Sequence, residues 1–145
     1  MENLNSQNQI NTLVSTNKFT SSYGLVLTQE EAYNLIQSKN ECLKEQERLE
    51  FTAGILPKLI YNFCDCDYIC QENYAYTLER LQSIFYLYKN ETMDILTDDE
   101  LIEQMKLLFN GVCHGCVEYL EEVALEEFAR KIRTYGRKFI EGVEI

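Results

Sequence analysis

The sequence predicts an all-α fold, an irregular or up-and-down bundle of about five helices with a mobile polar N-terminal arm. Three observations carry this expectation. Apolar residues recur three and four apart through most of the chain. Two capping boxes, Thr28 with Glu31 and Thr97 with Glu100, each stand at the head of such a run. No pair of alternating segments is joined by a hairpin turn, and nothing reads as strand–helix–strand alternation.

Residues 1–20 are rich in Asn, Gln, Ser and Thr, with scattered Ile10, Leu13 and Val14. That composition is too polar to pack by itself and is expected as a flexible arm. A single helical domain is expected over 21–136, followed by a C-terminal tail over 137–145. The segment Tyr23 to Leu27 reads as extended and leads into Thr28, where the first helix begins. That helix carries Ala32, Leu35, Ile36, Cys42, Leu43 and Leu49 on one side and is expected to run to about Glu50. A short second helix starts near Ile55, with Pro57 in its first turn and Leu56, Leu59, Ile60 and Phe63 on one face.

Residues 65–71 break the pattern and read as a connector. In the helix that follows, Tyr74, Leu78, Leu81, Phe85 and Tyr88 step by four and three, and Ile84 and Leu87 add apolar flanks. Around residues 84–88 no side is left for water, so this helix is expected to be enclosed by the others. A fourth helix, from Asp98 to Phe109, shows Leu101, Ile102, Met105, Leu108 and Phe109 and ends at Asn110-Gly111. The last, from about Gly115, presents Val117, Leu120, Val123, Ala124, Phe128, Ile132 and Tyr135 inward and stops at Gly136.

A chain of 145 residues with 46% apolar and 12% aromatic residues can bury a core without zinc or disulfides. Twenty-four acidic against thirteen basic residues give a net charge of −11, which repels phosphate backbones and anionic lipid, so neither nucleic acid nor membrane is an expected partner. The basic cluster Arg130, Lys131, Arg133, Arg137 and Lys138 reads as cations complementing the carbonyl end of the last helix. No apolar run reaches the length of a membrane span, and the N-terminus has no basic and apolar leader pattern, so the chain is expected in the cytoplasm. Six cysteines are expected there as thiols or metal ligands.

Two cysteine groups carry the only specific chemistry. Cys66 and Cys70 form a C-x3-C, and Cys113 and Cys116 a C-x2-C, spacings at which two thiolates reach one tetrahedral zinc. In an alternating bundle the two connectors fall at one end, so Cys66, Cys70, Cys113 and Cys116 form the candidate metal set. The bland reading, small apolar residues filling a core, is favoured over it, and no cofactor is expected unless that zinc. A redox reading rests on Cys113-His114-Gly115-Cys116 preceding a helix whose amides lower a thiol pKa. With one histidine and no nucleophile elbow, no catalytic residue is assigned. The paired acids read as helix N-termini and solvated faces.

The stretches GILPKLIYNFCD, ENYAYTLERLQSIFY, LTDDELIEQMK and NGVCHGCVEYL resemble a bacterial family of small acidic proteins known only as a domain of unknown function. The resemblance covers roughly residues 23–135 and implies no activity, substrate or cofactor. The residues themselves favour a non-catalytic cytoplasmic helical protein that binds another protein, or itself, through hydrophobic surplus on the aromatic helix. A small zinc domain is the alternative, and a thiol-redox protein the third reading.

Overall fold

A computed structural model describes residues 4–50 and 52–142. Among them the fold is all-α, without a strand, and no helix is long and apolar enough to cross a membrane. The helices are α1 (Leu4–Ser15), α2 (Asn17–Thr20), α3 (Gln29–Glu45), α4 (Leu56–Phe63), α5 (Tyr74–Glu91), α6 (Asp98–Asn110), α7 (Val117–Tyr119) and α8 (Leu125–Tyr135), with a π turn, Leu120–Ala124, between the last two. Where one domain over 21–136 is expected, packing separates two compact units, Met1–Ser83 and Ile84–Ile145, and the division falls inside α5.

In the first unit, the expected arm is instead a helix, with residues 1–3 outside the described chain. Helix α1 packs on α3 and α4. It does so with a narrow face: Ile10 and Leu13 are buried, and so is Gln9. Gln9 is tolerated there because the Nζ of Lys39, itself buried on α3, donates to its Oε1 at 2.7 Å and to the carbonyl of Thr52 at 2.5 Å. Burial lowers the Lys39 pKa, and Glu50 opposes that shift. The polar residues of α1 that composition counts against packing bond along the helix itself, as Gln7 to Asn11 and Thr12 to the carbonyl of Asn8.

Helix α3 opens on its predicted capping box: Thr28 Oγ1 accepts from Glu31 N at 3.0 Å and Glu31 Oε1 accepts from Thr28 N at 2.9 Å. It ends earlier than expected. Glu47 takes a left-handed φ of 57°, and Arg48 N donates back to Leu43 O at 2.9 Å, the closing bond of a helix C-terminus. Leu49, beyond that stop, is 82% exposed rather than inward. Helix α4 buries Leu56, Leu59, Ile60 and Phe63 as predicted, with Pro57 in its first turn.

In the second unit, α6 begins on its own box, Glu100 N to Thr97 Oγ1 at 3.2 Å and Thr97 N to Glu100 Oε1 at 2.9 Å. Leu101, Ile102, Met105 and Phe109 are buried. Gly111 ends it, since a Cβ there would stand 2.8 Å from the carbonyl oxygen of Leu107. The last helix departs from its predicted register at the π turn, where Leu125 N donates to Leu120 O, five residues back. The extra residue places Leu120 and Leu125 on the buried side and leaves Val123 at 37% exposure. Tyr135, also expected inward, is exposed in the final turn. Gly136, with φ 65°, terminates the helix as expected.

Two members of the basic cluster, Arg133 and Arg137, complement carbonyls of other segments rather than their own helix end. Arg133 donates to the carbonyl of Glu91, the last residue of α5, and pairs with Glu91 and Glu126. Arg137 donates to Ile95 O at 3.1 Å and grips both oxygens of Glu100 at 2.9 and 2.7 Å. The expected tail thus contributes contacts as far as 142, with Phe139 packed on Phe128 at 5.9 Å between ring centroids; residues 143–145 lie outside the described chain.

Two predictions follow from this packing. Leu13→Ala should destabilise the protein by about 2–5 kcal/mol in urea unfolding, against under ~0.5 kcal/mol for a solvated arm. The Arg137 bonds hold Glu100 at about 2, below its ordinary 4.5. A depressed folded-state value gives stability that is present above pH 4.5 and lost as pH falls toward 2. Thermal melts of Arg137→Met should therefore lie below wild type at pH 7, and the gap should close over that acid range.

Candidate functional site

The first cysteine group lies in the turns after α4. Cys64 and Cys66 are buried. Cys66 N donates to Phe63 O, and its carbonyl accepts from Ile69 N, both at 3.1 Å. Cys70 is exposed and extended, and caps the short 3-10 turn Gln71–Asn73: its sulfur accepts from Asn73 N while Asn73 Oδ1 accepts from Cys70 N at 2.9 Å.

The second group forms a tight turn between α6 and α7. His114 and Gly115 are both left-handed, at φ 46° and 79°. Gly115 N bonds to Phe109 O at 2.8 Å, and Cys116 N closes the turn on Cys113 O at 2.9 Å. Cys113 is buried and Cys116 exposed. The Cys116 sulfur takes the N-cap position of α7, accepting from Tyr119 N at 3.5 Å, and its thiol donates to Glu118 Oε2 at 3.7 Å. Of the two thiols, Cys113 and Cys116, that the preceding-helix argument offers for a lowered pKa, Cys113 is instead pushed up by burial, and the neighbouring Cys116 adds to the rise. Among the described residues, no group of three or more His, Cys, Asp or Glu side chains is placed to hold a metal. The chemistry present is thus two sulfur caps and one close cysteine pair.

A different feature stands out on the first unit. Phe19, Tyr23 and Tyr61 are each 49% exposed yet touch one another: Phe19 meets Tyr61 edge-on at 5.4 Å and Tyr23 at 5.9 Å. Phe19 lies on α2 and Tyr23 in the 3-10 turn Ser21–Tyr23, a segment pinned by buried Thr20, whose Oγ1 donates to Leu25 O at 2.7 Å. Gly24, at φ 78°, reverses the chain into the extended run 25–27. That run has no sheet partner, and two side-chain amides stand in for one. Asn17 brackets Leu27, accepting from its N–H at 2.8 Å and donating to its carbonyl at 2.9 Å. Gln71 brackets Val26 in the same way at 2.8 and 3.0 Å. Tyr74 is buried near Thr20, Cys64 and Tyr61, and burial pushes its hydroxyl up to about 12.

The model of a family of unknown function, DUF6323, matches residues 12–138. The chain belongs to that family. No curated protein and no solved structure matches it. The match begins within α1, so the DUF6323 unit includes part of the segment that the composition alone assigns to an arm. In this DUF6323 chain nothing in the sequence singles out Phe19 or Tyr23, which stand in polar surroundings and join Tyr61 only through the fold. The aromatic helix offers no contact surface of the kind expected: Tyr74, Phe85, Tyr86 and Tyr88 are all buried, and of its aromatic rings Tyr76 alone is exposed.

If sulfur serves Cys70 and Cys116 as a cap acceptor, a hydroxyl should serve as well or better. Cys70→Ser and Cys116→Ser should leave stability unchanged or raised by up to about 1 kcal/mol, and the Ala variants should lose about 0.5–1 kcal/mol. Urea unfolding of the four variants decides this, and equal loss for Ser and Ala would remove the capping role.

Proposed function

We propose that this protein is non-catalytic and acts by binding another protein through the exposed aromatic group Phe19, Tyr23 and Tyr61. The observation that carries the reading is that Phe19 packs against both Tyr23 and Tyr61 while all three rings stay half in solvent, Phe19 and Tyr23 on a segment anchored by Thr20, Asn17 and Gln71 and Tyr61 on α4. Preorganised aromatic rings bury much area at little entropic cost, which is why such rings dominate interface energies. A second copy of the chain is a poor occupant, because two bodies of charge −11 repel. The reading therefore takes a partner of net positive charge, steered by the acidic field and seated on the rings. Six free thiols support a reducing, cytoplasmic setting.

The test is affinity purification of the full chain from its source cell, wild type beside Phe19→Ser/Tyr61→Ser. The expected result is a basic protein recovered in equimolar amount, released as salt rises, and bound at least ~30-fold more weakly by the variant, as for loss of a hot spot of about 2 kcal/mol. A chain recovered alone, equal recovery by both forms, or a stable homodimer by light scattering would overturn the reading.

A further inference from the structure

We infer that Cys113 and Cys116 form a dithiol that is oxidised to an internal disulfide by exchange with a low-molecular-weight disulfide. The inference is independent of the aromatic surface and rests on the backbone between α6 and α7. Two successive left-handed residues, His114 and Gly115, fold the chain back so that Cys116 N bonds to Cys113 O. A turn closed by that bond holds its first and last Cα atoms within about 7 Å, the upper end of the separation over which disulfides form. No other cysteine pair has this placement. Cys66 opens a four-residue turn, but that turn closes on Ile69 and leaves Cys70 one residue outside it. Cys64 and Cys66 are both buried, and Cys42 stands alone on α3.

Exposure divides the roles. Cys116 is open to solvent and to a disulfide of small size, while Cys113 is buried. The Cys116 sulfur is held in place by two bonds, accepting from Tyr119 N at 3.5 Å and donating to Glu118 Oε2 at 3.7 Å. The thiolate of Cys116 attacks one sulfur of RS–SR, the S–S bond breaks, and RS⁻ leaves, giving a mixed disulfide. Cys113, after losing its proton to solvent, attacks the Cys116 sulfur and expels the second RS⁻. The two cysteines are oxidised by two electrons, the small disulfide is reduced to two thiols, and the ring closes between residues 113 and 116. The raised pKa of Cys113 suits a resolving thiol, which stays protonated until the mixed disulfide forms beside it.

The test is incubation of the reduced full chain with oxidised glutathione, followed by alkylation of remaining thiols and peptide mass mapping. Wild type is expected to lose two hydrogens and to show residues 113 and 116 joined while the other cysteines stay alkylated. Cys113→Ser should trap a stable glutathione adduct on Cys116, and Cys116→Ser, which keeps the cap, should slow oxidation at least tenfold and leave Cys113 free. Cys113→Ala, checked by circular dichroism, repeats the trap where the Ser variant is misfolded. First oxidation at any other pair, or both thiols remaining alkylatable throughout, would overturn the inference.

Discussion

The constraint on which the rest of this structure depends is that helix α5 has no solvated side over most of its length. From Leu81 to Asn90 no residue is exposed, so its polar side chains need partners: Ser83 bonds back to Arg80 O within the helix, and the longer ones reach neighbouring segments. Those partners fix where the segments lie. Gln82 donates to the carbonyl of Leu35, Lys89 to the carbonyl of Leu96 while pairing with Asp98 at 3.0 Å, and the Tyr88 hydroxyl to the carbonyl of Glu121. Each such bond adds only about 1 kcal/mol net, but leaving the group unmet costs about 1–3 kcal/mol, so mispacked alternatives are penalised more than the native one is rewarded. The Oε1 of Gln82 is left without a hydrogen-bond partner among the described residues.

The two units use their parts of α5 differently. In the first, Tyr74, Leu78 and Leu81 are buried with the apolar faces of α3 and α4, and the polar bracket between Lys39, Gln9 and Thr52 ties α1 into the same unit. In the second, α5 ends where Thr92 folds its hydroxyl back onto the carbonyl of Tyr88, and two non-glycine residues, Met93 and Asp94, turn left-handed. Such a conformation is unfavourable for ordinary residues and persists because its surroundings fix it. Asp94 N bonds to Lys89 O, and Arg133 covers the carbonyl of Glu91.

Legibility in the sequence followed the range of the interaction. Caps and apolar spacing act within one turn, and the two boxes, the faces of α4 and α6, and the terminators Gly111 and Gly136 are where local reading places them. Features set by distant partners were hidden. Among its described side chains, helix α1 buries Ile10 and Leu13 together with a glutamine, and the lysine that makes the glutamine acceptable is thirty residues away. The π turn shifts the inward register by one residue, which no count of three-and-four spacing contains. At the cysteines, spacing gave the pair in the 113–116 turn, but not that the exposed sulfurs of Cys70 and Cys116 stand where serine or aspartate usually caps a helix.

The aromatic residues show the same division and bear on function. Seventeen Tyr and Phe residues in one chain would ordinarily complete a core, and α5 buries most of its share. Phe19 and Tyr23 differ because the segment that carries them is anchored by polar bonds, and Tyr61 meets Phe19 from α4. Thr20 and the amides of Asn17 and Gln71 satisfy the extended run from inside, so the segment is anchored without its rings. Their grouping around Phe19 at the surface is the packing observation from which we propose a binding function.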